Sequence, residues 1–235
     1  MQFVDVPILL GSTRIGRQSL KVGRFILSKM EEYPQLKTEL LDLGGYDFPI
    51  MDQRLSEMRV VPLGLQSFSD KLDRADGLLI VSPEYKGGVP GVLKNALDYL
   101  KPGIFHRKPV GICTVSSGGF GGLNCLMQLR LTVLALGGVP IPDMLPVSKV
   151  QEHFDNDGLP RDGAWSSRLM QFIDELLFYT KALAQARQFE SATGFDKVSD
   201  KIKQMTVHDS SDASGHDRFL VPRKESAEQP PMEGM

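Results

Sequence analysis

Residues 78–100 read LLIVSPEYKGGVPGVLKNALDYL, and the expected fold class follows from this segment. It opens with the apolar run 78–81, which has the length and composition of a strand buried on both faces, as parallel sheets require. The stretch therefore predicts a strand, a loop at the carboxyl end of that strand, and a helix. In open α/β sheets, ligands bind at the edge formed by the carboxyl ends of the strands. The helix is indicated by apolar side chains that recur on one stripe, at Val92, Leu93, Ala96, Leu97 and Leu100.

The intervening loop, residues 82–88 (loop 2 in chain order), reads SPEYKGG and is longer than its position demands. A connection from a strand to a helix needs only a few residues. This one includes an aromatic residue and adjacent glycines, which suits a loop that contacts a ligand. An ordinary connection without a function is the alternative, and the loop alone does not decide between the two.

The same alternation of strands and helices continues along the chain. Strands alternating with helices predict a parallel sheet with helices on both faces, which is a three-layer α/β/α fold. An irregular segment, residues 44–62, is expected to be a surface excursion. Apolar runs predict the other strands at residues 4–10, 38–43, 109–115 and 139–142, and helical spacing predicts helices at about 18–33, 63–75, 123–136 and 163–188.

The last predicted strand contains Pro140 and Pro142. Residues i and i+2 of a strand point their N–H groups to the same side, so these prolines remove donors from one side only. That pattern suits an edge strand. With this strand at an edge, a five-stranded parallel sheet in the doubly wound order 2-1-3-4-5 is the economical arrangement.

Composition argues against several classes of protein. The 235 residues include 27 basic and 29 acidic side chains, a net charge of −2, so neither nucleic acid nor an anionic membrane is expected as the main partner. No apolar run approaches the roughly 20 residues needed to span a bilayer. Cys113 and Cys125 are the two cysteines, and they imply neither a disulfide framework nor a zinc site. We therefore expect a soluble protein of the reducing cytoplasm.

The chain divides into a domain and a tail. Residues 1–188 carry the periodic pattern and form the predicted domain. Residues 189–235 are rich in Ser, Asp, Lys and Pro and lack strong periodicity. Such a segment cannot bury enough apolar surface to offset the entropy lost on ordering. We expect this tail to be largely disordered.

Loop 1, residues 11–19, follows the first predicted strand and reads GSTRIGRQS. It leads into a helix, whose unpaired N–H groups and dipole favour an anion. Ser12 and Ser19 supply hydroxyl donors. Arg14 and Arg17 can add charge-assisted hydrogen bonds to phosphate oxygens. The loop therefore predicts a site for a phosphate group.

Two better-known phosphate loops do not match loop 1. The Walker pattern requires Lys and then Ser or Thr after its second glycine, whereas Gly16 is followed by Arg17 and Gln18. The dinucleotide pattern GxGxxG is absent from this segment. Loop 1 therefore suits a single terminal phosphate. A hydroxyl-rich helix cap with exposed arginines is the alternative.

Loop 3, residues 116–122, reads SSGGFGG and follows the next predicted strand after loop 2. Its glycines let the backbone approach a flat ligand closely and expose N–H groups to it. A flexible turn without a function is the alternative. That alternative is weakened because all three unusual loops are predicted at the same end of the sheet.

Together the three loops resemble landmarks of the NADPH-dependent FMN reductase-like family of flavodoxin-fold proteins, which includes quinone, azo-dye and chromate reductases. The segment SPEYKGGVPGVLKNALDYL is similar to the family signature, usually S/T-P-E-Y-N-x-S-x-P-G-x-L-K-N-A-I-D-W. GSTRIGR and loop 3, the latter followed by Gln128-Leu129-Arg130, are similar to its other two landmarks. The resemblance covers roughly residues 4–185. It implies that residues 1–188 form a flavodoxin-like FMN-binding domain.

Carried over by position, the resemblance implies an FMN site built from all three loops. The chain departs from the family at Lys86, where Asn is usual, at Gly88, where Ser is usual, and at Asn124, where Arg is common. The resemblance places Ser12, Arg14, Arg17, Gln18 and Ser19 at the phosphate, Pro83, Glu84, Tyr85, Lys86 and Gly87 beside the isoalloxazine ring, and Ser116, Ser117 and Gly118 on the other side of the ring.

The resemblance implies an NAD(P)H-dependent FMN/quinone reductase. Hydride from NADPH or NADH would pass through flavin N5 to a quinone, free flavin or a similar small-molecule acceptor in ping-pong turnover. The chemistry belongs to the flavin, so no catalytic side chain and no metal ligand is assigned. Tyr85 is expected to be a platform for the ring, and Glu84 is alternatively a structural residue at a helix entry.

The family habit suggests a homodimer or homotetramer. Two other classes stay open as alternatives at this point. One is a flavin-binding electron carrier without NAD(P)H turnover, although the acidic surface expected of such a carrier is missing from this nearly neutral chain. The other is a flavin-binding regulatory or scaffold protein whose tail recruits a partner.

Overall fold

The computed structural model describes residues 3–193 of the chain. Two short 3-10 turns, Leu43–Gly45 and Leu55–Glu57, lie in the otherwise irregular excursion. The strands are β1 (Val4–Asp5), β2 (Ile8–Leu10), β3 (Leu36–Lys37), β4 (Leu40–Asp42), β5 (Leu78–Pro83), β6 (Pro109–Val115), β7 (Val139–Pro140) and β8 (Leu145–Val147). The helices are α1 (Ser19–Met30), α2 (Leu63–Arg74), α3 (Gly91–Asp98), α4 (Leu123–Ala135), α5 (Val150–His153) and α6 (Gly163–Thr193).

The main sheet is parallel and runs in the order β4-β2-β5-β6-β7, with β8 also paired to β6. When the strands are counted as the sequence predicts them, this is the order 2-1-3-4-5. β5 and β6 are the longest pair, in register from Leu78 opposite Val110 to Pro83 opposite Val115. The predicted three-layer α/β/α class is therefore confirmed.

The first predicted strand is split at Pro7. β1 pairs with β3 in a separate two-stranded sheet, whereas β2 pairs with β4 and β5. Proline has no N–H to donate to a ladder, and Pro7 lies between the two segments. The carbonyl of Pro7 still accepts a hydrogen bond from the Leu79 N–H at 3.0 Å. The chain therefore stays beside β5 across the break.

The last predicted strand lies at an edge, as its prolines indicate. The N–H groups of Val139 and Ile141 donate to Lys108 and Val110 at 2.9 and 3.1 Å. Pro140 alternates with these donors, so its missing N–H falls on the outer side of the strand. β8 then pairs with the second half of β6. The edge is thus formed by two short strands in succession instead of one.

Apolar side chains fill the space between the sheet and both helical layers. Alternate residues of β5 face opposite layers, since Leu79 and Val81 belong to one buried cluster and Leu78 and Ile80 to the other. α1 and α6 cover the first face, whereas α2, α3 and α4 cover the second. All residues of β5 and β6 are buried. The carboxyl ends of the strands are left to the three loops.

Helix α6 runs to Thr193, five residues beyond the predicted end at 188. The predicted disordered tail thus begins with five residues that are helical. The rest of that tail, residues 194–235, lies outside the described residues. No helix within residues 3–193 is both long enough and apolar enough to cross a membrane. The cytoplasmic location and the domain boundary stay predictions.

Candidate functional site

The three loops follow β2, β5 and β6 and meet at the carboxyl edge of the sheet, where they surround a cavity of about 110 Å³. Because these strands are neighbours in the sheet, their loops are brought together by topology alone. The residues lining the cavity are Arg14, Gln18, Ser19, Pro83, Glu84, Tyr85, Val115, Ser116, Ser117 and Val150.

A larger cavity, about 530 Å³, lies between α2, α3 and the excursion. No residue that the sequence assigns to the FMN site lines it. Two of its carboxylates are in ion pairs, Asp73 with Lys101 at 2.7 Å and Asp98 with Lys94 at 2.5 Å. The third, Asp70, accepts a hydrogen bond from Gln66 at 2.7 Å. We therefore place the functional site by the chemistry of the loops and not by cavity size.

Loop 1 and loop 2 are joined by a hydrogen bond between the Ser12 hydroxyl and the Tyr85 phenol, 2.7 Å apart. Ser12 also accepts a hydrogen bond from the Arg14 N–H at 3.4 Å. The Arg14 guanidinium lies 5.9 Å from the centre of the Tyr85 ring, within the range of a cation–π contact. Ser12 is completely buried and does not line the cavity. Its position supports loop 1 from below.

Ser19 combines two properties that indicate a ligand. It is the first residue of α1, at the helix end where backbone N–H groups lack intrahelical partners. It is also completely buried, and its hydroxyl has no hydrogen-bond partner within the described residues. Buried polar groups are normally satisfied. Ser19 is also among the residues lining the cavity, so its unpaired hydroxyl lies next to the space where a group would bind.

Arg17 is not among the residues lining the cavity. Its Nη2 atom lies 2.5 Å from Asp42 Oδ2, and both side chains are largely buried. Asp42 ends β4, the neighbouring strand, and also accepts a hydrogen bond from the Gly44 N–H at 2.9 Å. Sequence reasoning missed Asp42, although its place at the carboxyl end of a strand beside loop 1 is a usable signal.

Loop 2 contains a tight hairpin turn. Tyr85 and Gly88 exchange two backbone hydrogen bonds of 3.1 Å, and the central residues Lys86 and Gly87 have φ values of 52° and 77°. Positive φ at both central positions is typical of a type I′ turn, in which Asn-Gly is favoured. Gln128 of α4 donates to the Gly87 carbonyl at 3.0 Å. Lys86 is therefore exposed at the tip of a turn held by α4.

Glu84 makes a contact with α4 as well as lining the cavity. Its Oε2 atom accepts a hydrogen bond from the Cys125 N–H at 3.0 Å. Cys125 is buried, and burial raises the pKa of its thiol to about 11. The thiol is therefore protonated near neutral pH. This placement favours the alternative that Glu84 is structural at a helix entry.

Loop 3 is tied at both ends. The Gly118 N–H donates to Ser116 Oγ at 2.9 Å, and the Gly118 carbonyl accepts from the Lys149 N–H at 3.0 Å. At the other end, Thr114 Oγ1 donates to the Gly121 carbonyl at 2.7 Å. Phe120 between these ties is 89% exposed. The loop is anchored except at its tip.

The structure thus brings most of the sequence-assigned residues together. Those that do not line the cavity are Ser12, Arg17, Lys86, Gly87 and Gly118. Val115 and Val150 line it although no motif pointed to them. Neither His106 nor His153 lines it, and His208 and His216 lie outside the described residues. Within residues 3–193, no group of His, Cys, Asp or Glu is arranged to hold a metal ion.

Comparison with solved structures defines the class of protein. The flavoenzyme NAD(P)H:(acceptor) oxidoreductase FerB from Paracoccus denitrificans is 25% identical, with a TM-score of 0.64 over 76% of this chain and 98% of that one. An NADH:FMN oxidoreductase, EMOB in its apo form, shares the fold at 18% identity, with a TM-score of 0.61 over 74% of this chain and 89% of that one. The fold is that of flavodoxin-like flavoenzymes.

The family follows from sequence. The model of the family described as NADPH-dependent FMN reductase matches residues 4–152, and the chain belongs to this family. An FMN-dependent NADPH-azoreductase of Staphylococcus saprophyticus is 29% identical over 180 residues, which span 74% of this chain and 94% of the relative. The Staphylococcus aureus azoreductase is 26% identical over 179 residues, 73% of this chain and 93% of the relative. The predicted family, the enzyme class and the cofactors FMN and NADPH are confirmed.

Proposed function

We propose that this NADPH-dependent FMN enzyme holds FMN in the cavity between its three loops and reduces quinones, azo compounds or free flavin there. The observation that carries the proposal is the buried, unpartnered Ser19 hydroxyl at the N-terminus of α1, in the wall of that cavity. A phosphate is an acceptor that both this hydroxyl and the helix N–H groups suit. The chemistry of the residues therefore fits the phosphate end of FMN.

Residues of loop 1 would hold the phosphate. Arg14, Gln18 and Ser19 line the cavity, and Arg14 brings a positive charge that can form charge-assisted bonds to phosphate oxygens. Arg17 is committed to Asp42, so we assign it to shaping loop 1. Ser12 supports the same loop through Tyr85.

Residues of loops 2 and 3 would border the flavin ring. Pro83, Glu84 and Tyr85 line one side of the cavity, and Ser116 and Ser117 line the other. Bound FMN would supply the reversible uptake of a hydride, which no side chain of this chain can supply. The protein's part is to bind and orient the ring and to leave one face open to a second molecule. The Tyr85–Gly88 turn and the tied ends of loop 3 keep these walls in place.

We propose ping-pong turnover, in which NADPH and a planar acceptor use one open face of the flavin ring in turn. The cavity is partly open and, at about 110 Å³, lies well below the roughly 300–1,000 Å³ typical of pockets that bury a drug-sized ligand. FMN would therefore be only partly enclosed, and its ring would keep an exposed face. The names of the azoreductase relatives support azo compounds as acceptors, and that of FerB supports use of either NADPH or NADH.

The same small volume supports a homo-oligomer, in which a second copy would cover the open cleft. Helix α4 carries an apolar ridge in which each side chain is at least two-fifths exposed. Arg130 is the one charged residue of α4, and its guanidinium donates to the Ile141 carbonyl at 2.7 Å. An uncharged apolar ridge can pack against its own copy without like-charge repulsion. The ridge consists of Leu123, Met127, Leu131 and Leu134, which are 41%, 47%, 68% and 57% exposed.

The function is tested with the purified protein and FMN. Saturation at 100 times the dissociation constant should add about 2.7 kcal/mol of stability, visible as a rise in melting temperature. NADPH oxidation with a quinone or azo dye should give parallel double-reciprocal plots. FMN binding without NADPH oxidation would indicate an electron carrier, and no FMN-induced shift would overturn the proposal.

The oligomer is tested by light scattering after size-exclusion chromatography. Leu131→Glu places a charge on the α4 ridge and should yield monomers. The matched control is Phe178→Glu on α6, where the side chain is 65% exposed. Equal masses for wild type and Leu131→Glu would exclude α4 as the contact.

A further inference from the structure

Helix α4 begins with a residue that cannot cap it. Its N-cap is Gly122, which has φ 79° and no side chain. A Cβ at this position would lie 3.1 Å from Thr114 Cβ and 3.4 Å from Glu84 Cβ. The left-handed backbone and the close neighbours therefore favour glycine. The Ser, Thr, Asp or Asn that usually satisfies the first N–H groups of a helix is missing here.

Glu84 supplies the missing acceptor from another part of the chain. Its carboxylate accepts the N–H of Cys125, in the first turn of α4, at 3.0 Å across 41 residues of sequence. A negative charge at a helix N-terminus is also favourable to the helix dipole. Glu84 thus performs for α4 the role that a local side chain performs at most helices.

Further contacts connect the Glu84–Cys125 hydrogen bond to loops 2 and 3, which form two walls of the cavity. The Cys125 thiol lies 3.5 Å from the Pro83 carbonyl and 3.7 Å from the Ser82 hydroxyl. Thr114 Oγ1 ties the end of loop 3 at the Gly121 carbonyl, immediately before α4. Loop 2, the end of loop 3 and the first turn of α4 are therefore held together around Glu84.

We propose that Glu84 is a positioning residue: its carboxylate clamps loop 2 to the start of α4 and so sets the spacing between the two walls that border the flavin ring. It acts through the backbone of Cys125 and not through contact with the reacting atoms. The proposal rests on the proposed function only for the identity of the ligand between the walls.

The test compares Glu84→Ala with Glu84→Gln. The glutamine keeps an oxygen that accepts the Cys125 N–H but has no charge, whereas alanine keeps neither. Glu84→Ala should weaken FMN binding about tenfold, and Glu84→Gln should stay within about threefold of wild type. In the protein without FMN, hydrogen exchange at the Cys125 amide should be faster in the alanine variant and nearly unchanged in the glutamine variant.

Asp162→Ala provides the matched control. Asp162 accepts the N–H groups of Ala164 and Trp165 at 3.1 and 3.4 Å at the start of α6, where it lines no part of the cavity. This variant loses a helix cap and should keep wild-type FMN affinity. If Glu84→Ala does not fold, Glu84→Asp replaces it, since its carboxylate is one methylene too short to reach Cys125 in the same geometry.

Two results would overturn the clamp. Equal losses of FMN affinity in the alanine and glutamine variants, with wild-type exchange at Cys125 in the glutamine variant, would indicate that the charge of Glu84 contacts the cofactor or substrate directly. Unchanged exchange at Cys125 in Glu84→Ala would show that the hydrogen bond does not hold α4. The exchange measurement needs no FMN, so it decides the clamp even if the wild-type protein fails to bind FMN and the proposed function falls.

Discussion

The Ser12 hydroxyl and the Tyr85 phenol lie 2.7 Å apart although 73 residues separate them in sequence. Ser12 is a completely buried residue of loop 1, and Tyr85 lines the cavity as part of loop 2. Their hydrogen bond fastens loop 1, the proposed phosphate end of the candidate site, to loop 2, the proposed ring end. A hydrogen bond that holds the two loops together lowers the ordering cost of binding a ligand between them.

A double-mutant cycle measures this bond. Ser12→Ala and Tyr85→Phe each remove one partner, and the double variant removes both. We expect a coupling of about 0.5–1.5 kcal/mol in the free energy of unfolding of the protein without FMN. Tyr33→Phe is the control, because its hydroxyl donates to Asp174 at 2.8 Å, away from the three loops. Strict additivity of Ser12→Ala and Tyr85→Phe would mean that the contact contributes nothing.

The two arginines of loop 1 should differ in their effect on FMN. Arg14 lines the cavity, whereas Arg17 is paired with Asp42. Arg14→Ala should lose about 1.5–3 kcal/mol of FMN binding, roughly ten- to a hundredfold in the dissociation constant. Arg17→Ala should lose less FMN affinity but more protein stability, because it leaves the Asp42 carboxylate without its partner. Fluorescence titration of FMN and thermal melting separate the two variants. A larger loss of FMN affinity in Arg17→Ala than in Arg14→Ala would place the phosphate at Arg17.

Lys86 occupies a backbone conformation that lysine disfavours. Its φ of 52° lies in the left-handed region, where residues other than glycine and asparagine lose roughly 1–2 kcal/mol. Lys86→Asn should therefore stabilise the protein by about 0.5–1 kcal/mol, a rise of a few degrees in melting temperature. Lys86→Ala removes the same charge but keeps the strain, so it should show no such rise. A gain in both variants would assign the effect to charge.

The exposed position of Lys86 limits the effect of its charge on the midpoint potential of the flavin. Its side chain is exposed at the tip of the turn, where solvent reduces an ionic interaction to about 1 kcal/mol or less. For a two-electron couple this corresponds to roughly 20 mV. We expect Lys86→Asn to lower the midpoint potential of the FMN-loaded protein by no more than that. A larger shift in potentiometry would indicate that the ammonium folds back over the site.

Periodicity and turn chemistry were enough to predict the sheet order and the edge. The prolines of the last strand identify which side of it lacks a partner, and the apolar run of β5 identifies a central strand. The break at Pro7 was not predicted, since the run around it is apolar on both sides. A short ladder interruption does not change the hydrophobic pattern, so pattern reasoning does not detect it.

The candidate site was predictable as three loops but not as a set of contacts. Loop motifs indicate which backbone segments approach a ligand, whereas they do not say where a long side chain turns. Arg17 is the clearest case, because only the position of Asp42 on the neighbouring strand determines its direction. Glu84 is another, since its partner is the backbone of Cys125, and a backbone N–H leaves no trace in the sequence.

At the opposite end of the sheet, Lys108 is a half-buried cation. Its Nζ atom donates to the Leu72 carbonyl at 3.0 Å and to the Asp73 carbonyl, at the end of α2. Burial lowers the pKa of Lys108 to about 8, and nearby Arg187 acts in the same direction, whereas Asp73 and Asp76 oppose it. In the unfolded chain a lysine has its ordinary pKa of about 10.4. Between these values the unfolded state binds more protons than the folded state.

The contribution of Lys108 to stability should therefore rise with pH between about 8 and 10.5. The free energy of unfolding of wild type minus that of Lys108→Met should increase across this window by about 1–2 kcal/mol, after allowance for solvent screening. Taking the difference cancels the contributions of thiols and phenols, which titrate in the same pH range, to the free energy of unfolding. The matched control is Lys37→Met, at a lysine whose side chain is 73% exposed and paired with Asp5 at 2.5 Å, and its difference should stay flat. Urea unfolding at half-unit pH steps measures both, and a flat or falling difference for Lys108→Met would mean that its ammonium stays as well solvated as in the unfolded chain.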